Sequence, residues 1–431
     1  MDLHEVAMNA REAFYQVSVS SAEVRNRALE AMADQLQADA SDIFRENEAD
    51  LAAARESGLP SPLLKRLQFQ QEKLDQVTAG LRALMGLEDP IGRTTLSTEI
   101  TEGLELYRTT CPIGVIGVIF ESRPDALVQI ASLSLKSGNT VLLKGGREAL
   151  RTNRALTASL QKAVVCSGLP ASAVQLLETR EDVAELLKED TLIDLIIPRG
   201  SREFVRYIMD HSRIPVLGHA DGICHVYLDR EADPDCAFRV AVDSKIQNVS
   251  VCNAMETLLV HRSVAPLLLP ELSERLQDHG VKLLGDAETR EFIDCESATE
   301  ADWSTEYLDY TLSIRVVHSL QEAIHHINTY GSHHTDAIVT ESEERARRFL
   351  NQVDSAGVYW NVSTRFADGF VYGLGAEVGI ATGKLHARGP MGLEGLTTYK
   401  YKLLGNGHTM AEMKNGSRTY THRALHRNCP L

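Results

Sequence analysis

The chain has 431 residues, of which 43% are hydrophobic and 24% charged, a composition typical of globular proteins that excludes disordered and fibrous classes. This length exceeds one hydrophobic core, and two large domains are therefore expected. Acidic side chains outnumber basic ones by 60 to 44, and the formal net charge of -16 argues against a nucleic-acid binder, which would present a basic surface.

The N-terminal part of the chain predicts helices. Ser20 and Glu23 have the spacing of a capping box, and apolar residues recur after them with a helical period. A second helix is expected from about Asp42, and Gly58 and Pro60 are the residues predicted to stop it.

Beyond these helices, short β-branched and aliphatic runs alternate with amphipathic helical segments. The predicted strands are 105–109, 115–120, 140–144, 173–177, 192–197, 224–228, 256–261, 336–340 and 357–361. Nearly continuous apolar strands separated by helices predict parallel sheets that are covered on both faces. The fold class is therefore α/β, with two α/β domains and a boundary at 229–235, where Asp-Arg-Glu-Ala-Asp-Pro breaks the pattern.

Cysteine usage and the chain ends predict a cytoplasmic protein. Seven cysteines are scattered without a CxxC pair, a pattern typical of reduced thiols. The N-terminal segment lacks the apolar core of a signal peptide. No apolar run approaches the roughly 18 residues of a membrane span, so no membrane partner is expected. The polar composition of 412–431 predicts an irregular tail that is compatible with disorder.

Two strand ends are candidates for a nucleotide, although the usual fingerprints GxGxxG and Walker A are missing, which argues against ATP. Lys144 ends a predicted strand and is followed by two glycines and Arg147, a group that could hold a dinucleotide and its 2′-phosphate. A solvated lysine beside a turn explains the same residues. Gly200 and Ser201 open a helix after another strand, where free amides bind phosphate or Ser201 simply caps the helix.

Cys252 is the candidate nucleophile, because it lies directly before a predicted buried strand. A free thiol with a pKa of about 8.5 is already a good nucleophile at neutral pH. Lys245 or a helix N-terminus would lower that pKa further. The alternative is that Cys252 packs as a small hydrophobic residue, as most buried cysteines do.

The histidines at 325, 326, 333 and 334 do not predict a metal site. The first two are adjacent in a predicted helix and therefore point to different faces. No nearby cysteine completes a set of metal ligands. No metal is therefore expected.

Longer stretches of sequence carry a resemblance to a known family. They lie at 89–92, 112–125, 214–227, 252–257, 330–336, 375–380 and 384–394. In this order, from about residue 5 to residue 405, they resemble the γ-glutamyl phosphate reductases (glutamate-5-semialdehyde dehydrogenases), a branch of the aldehyde dehydrogenase superfamily. The fold implied is aldehyde dehydrogenase-like, with two α/β domains with parallel sheets plus a small β flap for oligomerisation.

The resemblance also implies domain limits and site residues. It implies an NADP-binding domain at 1–97 and 113–230, a catalytic domain at 231–388, and a flap at 98–112 and 389–405. Cys252 matches the family nucleophile, Lys144 the lysine on the adenosine ribose, and Gly200 and Ser201 the loop beneath the cofactor. Glu306 matches the glutamate on the nicotinamide ribose. The substrate side is matched by Arg123, Asn253, Ser363, Arg365 and Phe366.

The activity implied is NADPH-dependent reduction of γ-glutamyl phosphate to glutamate-5-semialdehyde and phosphate, through a Cys252 thioester, in proline biosynthesis. Arg147 and the biosynthetic direction favour NADPH over NADH. The water-activating glutamate of oxidising relatives is missing from 217–221, as a reductase requires, because water would hydrolyse its thioester. A homo-oligomer is implied, and glutamate 5-kinase is a partner that could supply the acyl phosphate.

One departure from the family pattern and two alternative functions bear on this interpretation. The segment 247–252 departs from the family pattern, in which a basic or aromatic residue and a proline are expected, so the approach to Cys252 is expected to differ in shape. An aldehyde-oxidising or CoA-acylating dehydrogenase is one alternative, and the glutamyl-type motifs argue against both. A non-catalytic module that keeps the fold is the other, and the joint presence of Cys252, Lys144 and Glu306 argues against it.

Overall fold

The structure, a computed structural model, describes residues 2–120, 123–178, 181–218, 221–374 and 377–431. Parts of the family-like stretches, at 121–122, 219–220 and 375–376, lie outside the described residues. The described chain forms two α/β halves, each with a parallel sheet, and a separate antiparallel sheet. None of the helices in these ranges is long and apolar enough to span a bilayer.

The helices and strands have the following bounds. The helices are α1 (Leu3–Val17), α2 (Ala22–Ala38), α3 (Ala40–Glu56), α4 (Ser61–Leu67), α5 (Gln71–Met85), α6 (Pro124–Lys136), α7 (Leu150–Cys166), α8 (Glu181–Leu186), α9 (Arg202–His211), α10 (Pro234–Ile246), α11 (Ala265–Asp278), α12 (Leu320–Tyr330), α13 (Glu343–Gln352) and α14 (Met410–Lys414). The strands are β1 (Thr94–Thr101), β2 (Leu104–Pro112), β3 (Val115–Phe120), β4 (Thr140–Lys144), β5 (Val174–Leu177), β6 (Leu195–Arg199), β7 (Cys224–Leu228), β8 (Met255–His261), β9 (Lys282–Gly285), β10 (Glu296–Ser297), β11 (Thr311–Val317), β12 (Thr335–Val339), β13 (Gly357–Trp360), β14 (Ile380–Ala381), β15 (Gly389–Pro390), β16 (Thr397–Leu404) and β17 (Arg423–Ala424).

The N-cap of α2 is Ser21, so the capping box predicted at Ser20 and Glu23 is wrong by one residue. The Ser21 side chain accepts a hydrogen bond from the Val24 amide at 3.4 Å. The Ser20 hydroxyl instead donates to the carbonyl of Val17 at 2.6 Å, at the end of α1. Ser20 therefore completes the turn between the two helices and is not available as a cap.

The first half is built on the sheet β5-β4-β3-β6, whose strand pairs are all parallel. Every residue of β3 and β4 is buried. Apolar residues of α2, α5, α6 and α7 form the core on one side, and those of α1, α8 and α9 belong to a second cluster with other residues of the sheet. The predicted parallel sheet covered on both faces is confirmed.

The second half is built on the sheet β10-β9-β11-β8-β7-β12-β13, again with parallel pairs only. The boundary predicted at 229–235 is wrong, because β7 already belongs to this sheet. It lies fully buried between β8 and β12. The polar run at 229–235 leads into α10, whose N-cap Asp233 accepts from the Cys236 amide at 2.8 Å. The change of sheet therefore precedes Cys224.

The chain returns to the first half after the second sheet. Val378, Ala381, Met391, Leu393 and Leu396 are buried in the same core as β3 and β4. Lys384 and Arg388, within the same segment, still pair with Asp354 of the second half, so the expected end of that half at residue 388 stays a prediction. The core of the first half is thus assembled from two distant parts of the chain.

The antiparallel sheet has the order β16-β2-β1-β17 and contains most of the expected flap. It begins at Thr94, before the expected residue 98. Most of the tail at 412–431 lies outside helices and strands, and its disorder stays a prediction. Within it, β17 pairs with β1, and Arg427 Nε donates to the Tyr107 hydroxyl at 3.1 Å. The polar composition did not predict these contacts of the tail, because backbone pairing with an edge strand requires no apolar side chains.

Candidate active site

A cavity of about 670 Å³ lies where the two halves meet. The carboxyl end of β6 and the start of α9 form one wall, and the segments before β8 and β11 form another. Of the residues predicted from sequence, it brings together Arg123, Gly200, Ser201, Cys252 and Glu306. Lys144, Arg147, Asn253, Ser363, Arg365 and Phe366 do not line it.

The backbone of Cys252 is held from the side of β7. Cys252 is half-buried in the segment that joins α10 to β8. A Cβ on Gly222 would lie 2.5 Å from Cys252 Cα, so the backbone segments of these two residues are in contact. The Cys224 thiol donates to the Cys252 carbonyl at 3.3 Å, and burial raises the pKa of Cys224, which keeps it a neutral donor. Sequence reasoning missed both residues, although both lie in the family-like stretch 214–227.

Lys245 does not serve the thiol as expected. Its Nζ lies 2.6 Å from Glu256 Oε2, and both side chains are completely buried. Burial lowers the pKa of Lys245, while the charge of Glu256 raises it. The expectation that Lys245 acts on Cys252 is therefore wrong, because the ammonium group is already paired with Glu256.

Two arginines place positive charge near Cys252. Burial lowers the pKa of Arg199, and the charges of Glu377 and Cys252 raise it. Burial likewise lowers the pKa of Arg365, and Cys252 is the largest opposing influence. Arg199 lines the cavity and was missed from sequence, although its position two residues beyond a predicted strand was a usable signal.

The predicted substrate loop is attached to the nucleophile segment. Asn253 Nδ2 donates to the Ala367 carbonyl at 2.9 Å, and the Thr364 hydroxyl donates to the Asn253 carbonyl at 2.7 Å. Ser363 is buried, caps the short turn Thr364–Phe366 and accepts from the Ser244 hydroxyl at 3.2 Å. Phe366 is 52% exposed. Asn253 and Ser363 therefore have partners within the protein, and they hold the loop that presents the exposed Phe366.

The predicted cofactor residues fall into two groups. Gly200 and Ser201 precede α9, and Ser201 caps it by accepting from the Phe204 amide at 3.4 Å. Lys144 is buried at the end of β4, where its Nζ donates to the Gly145 carbonyl at 2.6 Å. Burial lowers the pKa of Lys144, and the nearby charge of Arg147 lowers it too.

These residues fit a dinucleotide. Strands β4 and β6 flank β3 in the sheet, so their carboxyl ends lie close together. Ligands of open α/β sheets bind at these carboxyl ends. A Cβ on Gly145 would lie 2.2 Å from the amide nitrogen of the buried Asn153 side chain, so this position next to Lys144 favours glycine for lack of space. Cations at one strand end and a helix N-terminus at the other suit a pyrophosphate with a ribose phosphate.

The sequence was compared with known protein families. The model of the aldehyde dehydrogenase family matches residues 1–291. The γ-glutamyl phosphate reductase of Acetivibrio thermocellus is 56% identical over 431 residues, which is 100% of both chains. The chain belongs to the aldehyde dehydrogenase family. γ-Glutamyl phosphate reductase 1 of Synechocystis sp. is 52% identical over 424 residues, 98% of each chain.

Solved structures agree with this membership of the aldehyde dehydrogenase family. The γ-glutamyl phosphate reductase of Thermotoga maritima has a TM-score of 0.93 at 39% identity and covers 95% of this chain and 100% of its own. The acetylating aldehyde dehydrogenase of Geobacillus thermoglucosidasius has a TM-score of 0.66 at 16% identity, covers 94% of this chain and 97% of its own, and shares the fold. The resemblance to the reductase branch, the aldehyde dehydrogenase-like fold and the assignment as an oxidoreductase are therefore confirmed.

Proposed function

We propose that this chain reduces γ-glutamyl phosphate to glutamate-5-semialdehyde and phosphate, with Cys252 as the nucleophile and NADPH as the reductant, in proline biosynthesis. The observation that carries the proposal is Cys252 on the wall of a cavity that also presents Arg123, Arg199 and Glu306. The relatives named for this reaction match the chain over its whole length.

The chemistry at Cys252 is acyl transfer. The thiolate attacks the acyl carbon, a carbon–sulfur bond forms, and the bond to the phosphate oxygen breaks, so that phosphate leaves and a thioester remains. The Cys252 backbone amide and Arg123 are the groups assigned to the developing oxyanion. The thioester stores the activation of the acyl phosphate until hydride arrives.

Positive charge in the cavity suits an anionic substrate in a protein that is acidic overall. The net charge of -16 repels anions at long range. Arg199 on the cavity wall and Arg365 close by offset this locally, and burial strengthens their attraction for a phosphate or carboxylate because screening by water is reduced. Arg365 and Phe366 are assigned to the glutamyl part of the substrate.

The cofactor is assigned to the first half of the molecule. Lys144 would hold the adenosine ribose, Arg147 the 2′-phosphate that distinguishes NADPH, and Glu306 the nicotinamide ribose. When bound, the cofactor would supply hydride for the thioester carbon. Gly200 and Ser201 would hold it at the start of α9, where backbone amides are free for a phosphate.

Asp221 is the acidic residue in the segment where oxidising relatives carry their water-activating base, and it forms an ion pair. Asp221 lies 2.7 Å from Arg202 Nε in an ion pair. This ion pair ties the carboxylate to the start of α9, which supports reduction over hydrolysis of the thioester.

The remaining proposals concern the setting of the reaction. We assign the enzyme to the cytoplasm and to a homo-oligomer that uses the antiparallel sheet as its flap. Glutamate 5-kinase would supply γ-glutamyl phosphate. An activated carboxyl group must come from a separate enzyme, because hydride does not reduce a free carboxylate.

The reverse reaction tests this function. Purified protein is mixed with glutamate-5-semialdehyde and NADP, with and without inorganic phosphate, and NADPH absorbance is followed. We expect NADPH only with phosphate, and loss of at least about 1,000-fold in rate in Cys252→Ser, because a serine hydroxyl is a far weaker nucleophile. Cys166→Ser, at an exposed thiol, is the matched control and should be unchanged.

Two outcomes would contradict the proposal. Production of NADPH without phosphate would mean that water resolves the thioester and that the enzyme oxidises aldehydes. A Cys252→Ser variant as active as Cys166→Ser would remove the thioester from the mechanism.

A further inference from the structure

The buried ion pair between Lys245 and Glu256 has no part in the proposed chemistry. Lys245 lies in α10, Glu256 lies in β8, and neither side chain has any exposed surface. Taking both charges out of water is costly, and such pairs are often no more stabilising than apolar residues. The other contacts of Lys245 and Glu256 therefore indicate what the pair does besides stabilising the fold.

Glu256 anchors the segment that carries Glu306. Its Oε1 accepts a hydrogen bond from the Leu308 amide at 3.1 Å, while Lys245 occupies Oε2. Leu308 has a φ of 52°, a left-handed conformation that is rare for a residue with a large side chain. Backbone in such a conformation persists only where its surroundings hold it. Glu256 supplies part of that hold.

A second anchor lies between Glu306 and Leu308. The Tyr307 hydroxyl donates to Asp302 Oδ1 at 2.9 Å and lies 2.7 Å from the Ser313 hydroxyl. The two residues that follow Glu306 are thus held, one by its side chain and one by its backbone amide. Glu306 and Leu308 both line the cavity with Cys252.

The charges of the pair and of Glu306 influence each other. Burial, with a smaller contribution from the charge of Glu306, raises the pKa of Glu256 to about 7 against the lowering effect of Lys245. The two carboxylates are therefore close in space, and the Lys245 ammonium offsets the negative charge that they concentrate there.

We propose that Lys245 and Glu256 are positioning residues that set the orientation of Glu306 toward the nicotinamide ribose. This inference rests on the proposed function, which assigns Glu306 to that ribose. Glu256 follows Cys252 by four positions, so one continuous segment carries both the nucleophile and the anchor of the cofactor residue. The nucleophile and the anchor of Glu306 are thereby placed by one short segment, with Cys252 before β8 and Glu256 within it.

The test removes the pair without leaving a buried charge. The double variant Lys245→Met/Glu256→Leu loses both the pair and the acceptor for Leu308. Its matched control, Lys245→Met/Glu256→Gln, is equally neutral but keeps a side-chain oxygen for the Leu308 amide. Both are made in the parent chain and in Glu306→Ala, and NADPH dissociation constants are measured by fluorescence titration with circular dichroism as a check on folding.

We expect the leucine double variant to weaken NADPH binding about tenfold in the parent chain and less than twofold in Glu306→Ala, because contacts that act through one group are not additive. The glutamine double variant should stay within about twofold of the parent chain. The rate at which iodoacetamide alkylates Cys252 should be unchanged in both, since the nucleophile itself is untouched.

The possible failures are distinguishable. Equal weakening in both backgrounds, or none in a folded variant, would overturn the positioning role alone. If Glu306→Ala binds NADPH as tightly as the parent chain, the assignment of Glu306 in the proposed function fails, and the inference fails with it. Should the leucine double variant not fold, Tyr307→Phe releases the second anchor, and the same dependence on Glu306 is expected of it.

Discussion

Gly222 is a residue at which a single added carbon would disturb the position of the nucleophile. Its backbone touches that of Cys252, and a methyl group there would collide with the Cys252 carbonyl. The φ of Gly222 is not in the left-handed region, so glycine is needed here for space and not for backbone conformation. Reactivity at Cys252 thus depends on a residue that carries no chemistry of its own.

Gly222→Ala should lower kcat/KM by about 100-fold, because a displacement of about 1 Å at a reacting group has consequences of that size. The variant is assayed in the reverse reaction, with circular dichroism to establish that it folds. Gly80→Ala is the matched control, since no atom lies within 4 Å of the added Cβ in α5. Full activity in Gly222→Ala would show that the contact yields without moving Cys252.

At the scale of a single element, α2 shows how a helix start depends on one hydroxyl. Ser21 caps the helix. A hydrogen bond between the side chains of Ser21 and Glu23 also lowers the pKa of the exposed Glu23 carboxyl. The neighbouring Ser20 has the same side chain but bonds to the end of α1. Two adjacent serines therefore serve different helices.

Ser21→Ala should lower the free energy of unfolding by about 1 kcal/mol, the typical loss when an N-cap is removed. Ser21→Asp keeps an acceptor for the Val24 amide and adds a negative charge at the helix N-terminus, so it should retain the stability of the parent chain. Urea unfolding of the three proteins measures the difference. An unaffected Ser21→Ala would argue that the helix start is held by packing alone.

The stability of the whole molecule is expected to depend on pH through a buried histidine. His326 is 2% exposed and packs against the rings of His225, Trp303 and Tyr330. Burial, together with the neighbouring His225 and Arg315, lowers the pKa of His326 to about 2. Folded protein therefore keeps His326 neutral where an unfolded chain would protonate it.

Below about pH 6.5 the unfolded chain binds a proton that the folded one does not, so stability should fall with decreasing pH. This group alone contributes a slope of up to about 1.4 kcal/mol per pH unit. Free energies of unfolding measured between pH 7.5 and about 5 should show a smaller slope in His326→Gln than in the parent chain. His325→Gln, at the exposed neighbour, is the control, and equal slopes in all three proteins would contradict the assignment.

Much of the fold was accessible from sequence because strand formation in a buried parallel sheet is a local property. The apolar runs at 115–120 and 140–144 coincide with β3 and β4, since each is buried along its whole length. Cys252 was identified from its place before a predicted strand and from the family-like stretch 252–257 that it begins. Arg199 and Gly222 were missed because neither residue type, taken alone, predicts a site.

Only the tertiary structure decided which distant segments meet. The composition of β7 predicts a strand, but its place between β8 and β12 depends on contacts far apart in sequence. The partner of Lys245 is likewise set by the packing of α10 on β8. The pairing of the tail is set by the edge of β1, to which β17 binds. Local patterns determine which segments become strands and helices, whereas neighbours in space depend on how those elements bury their surfaces together.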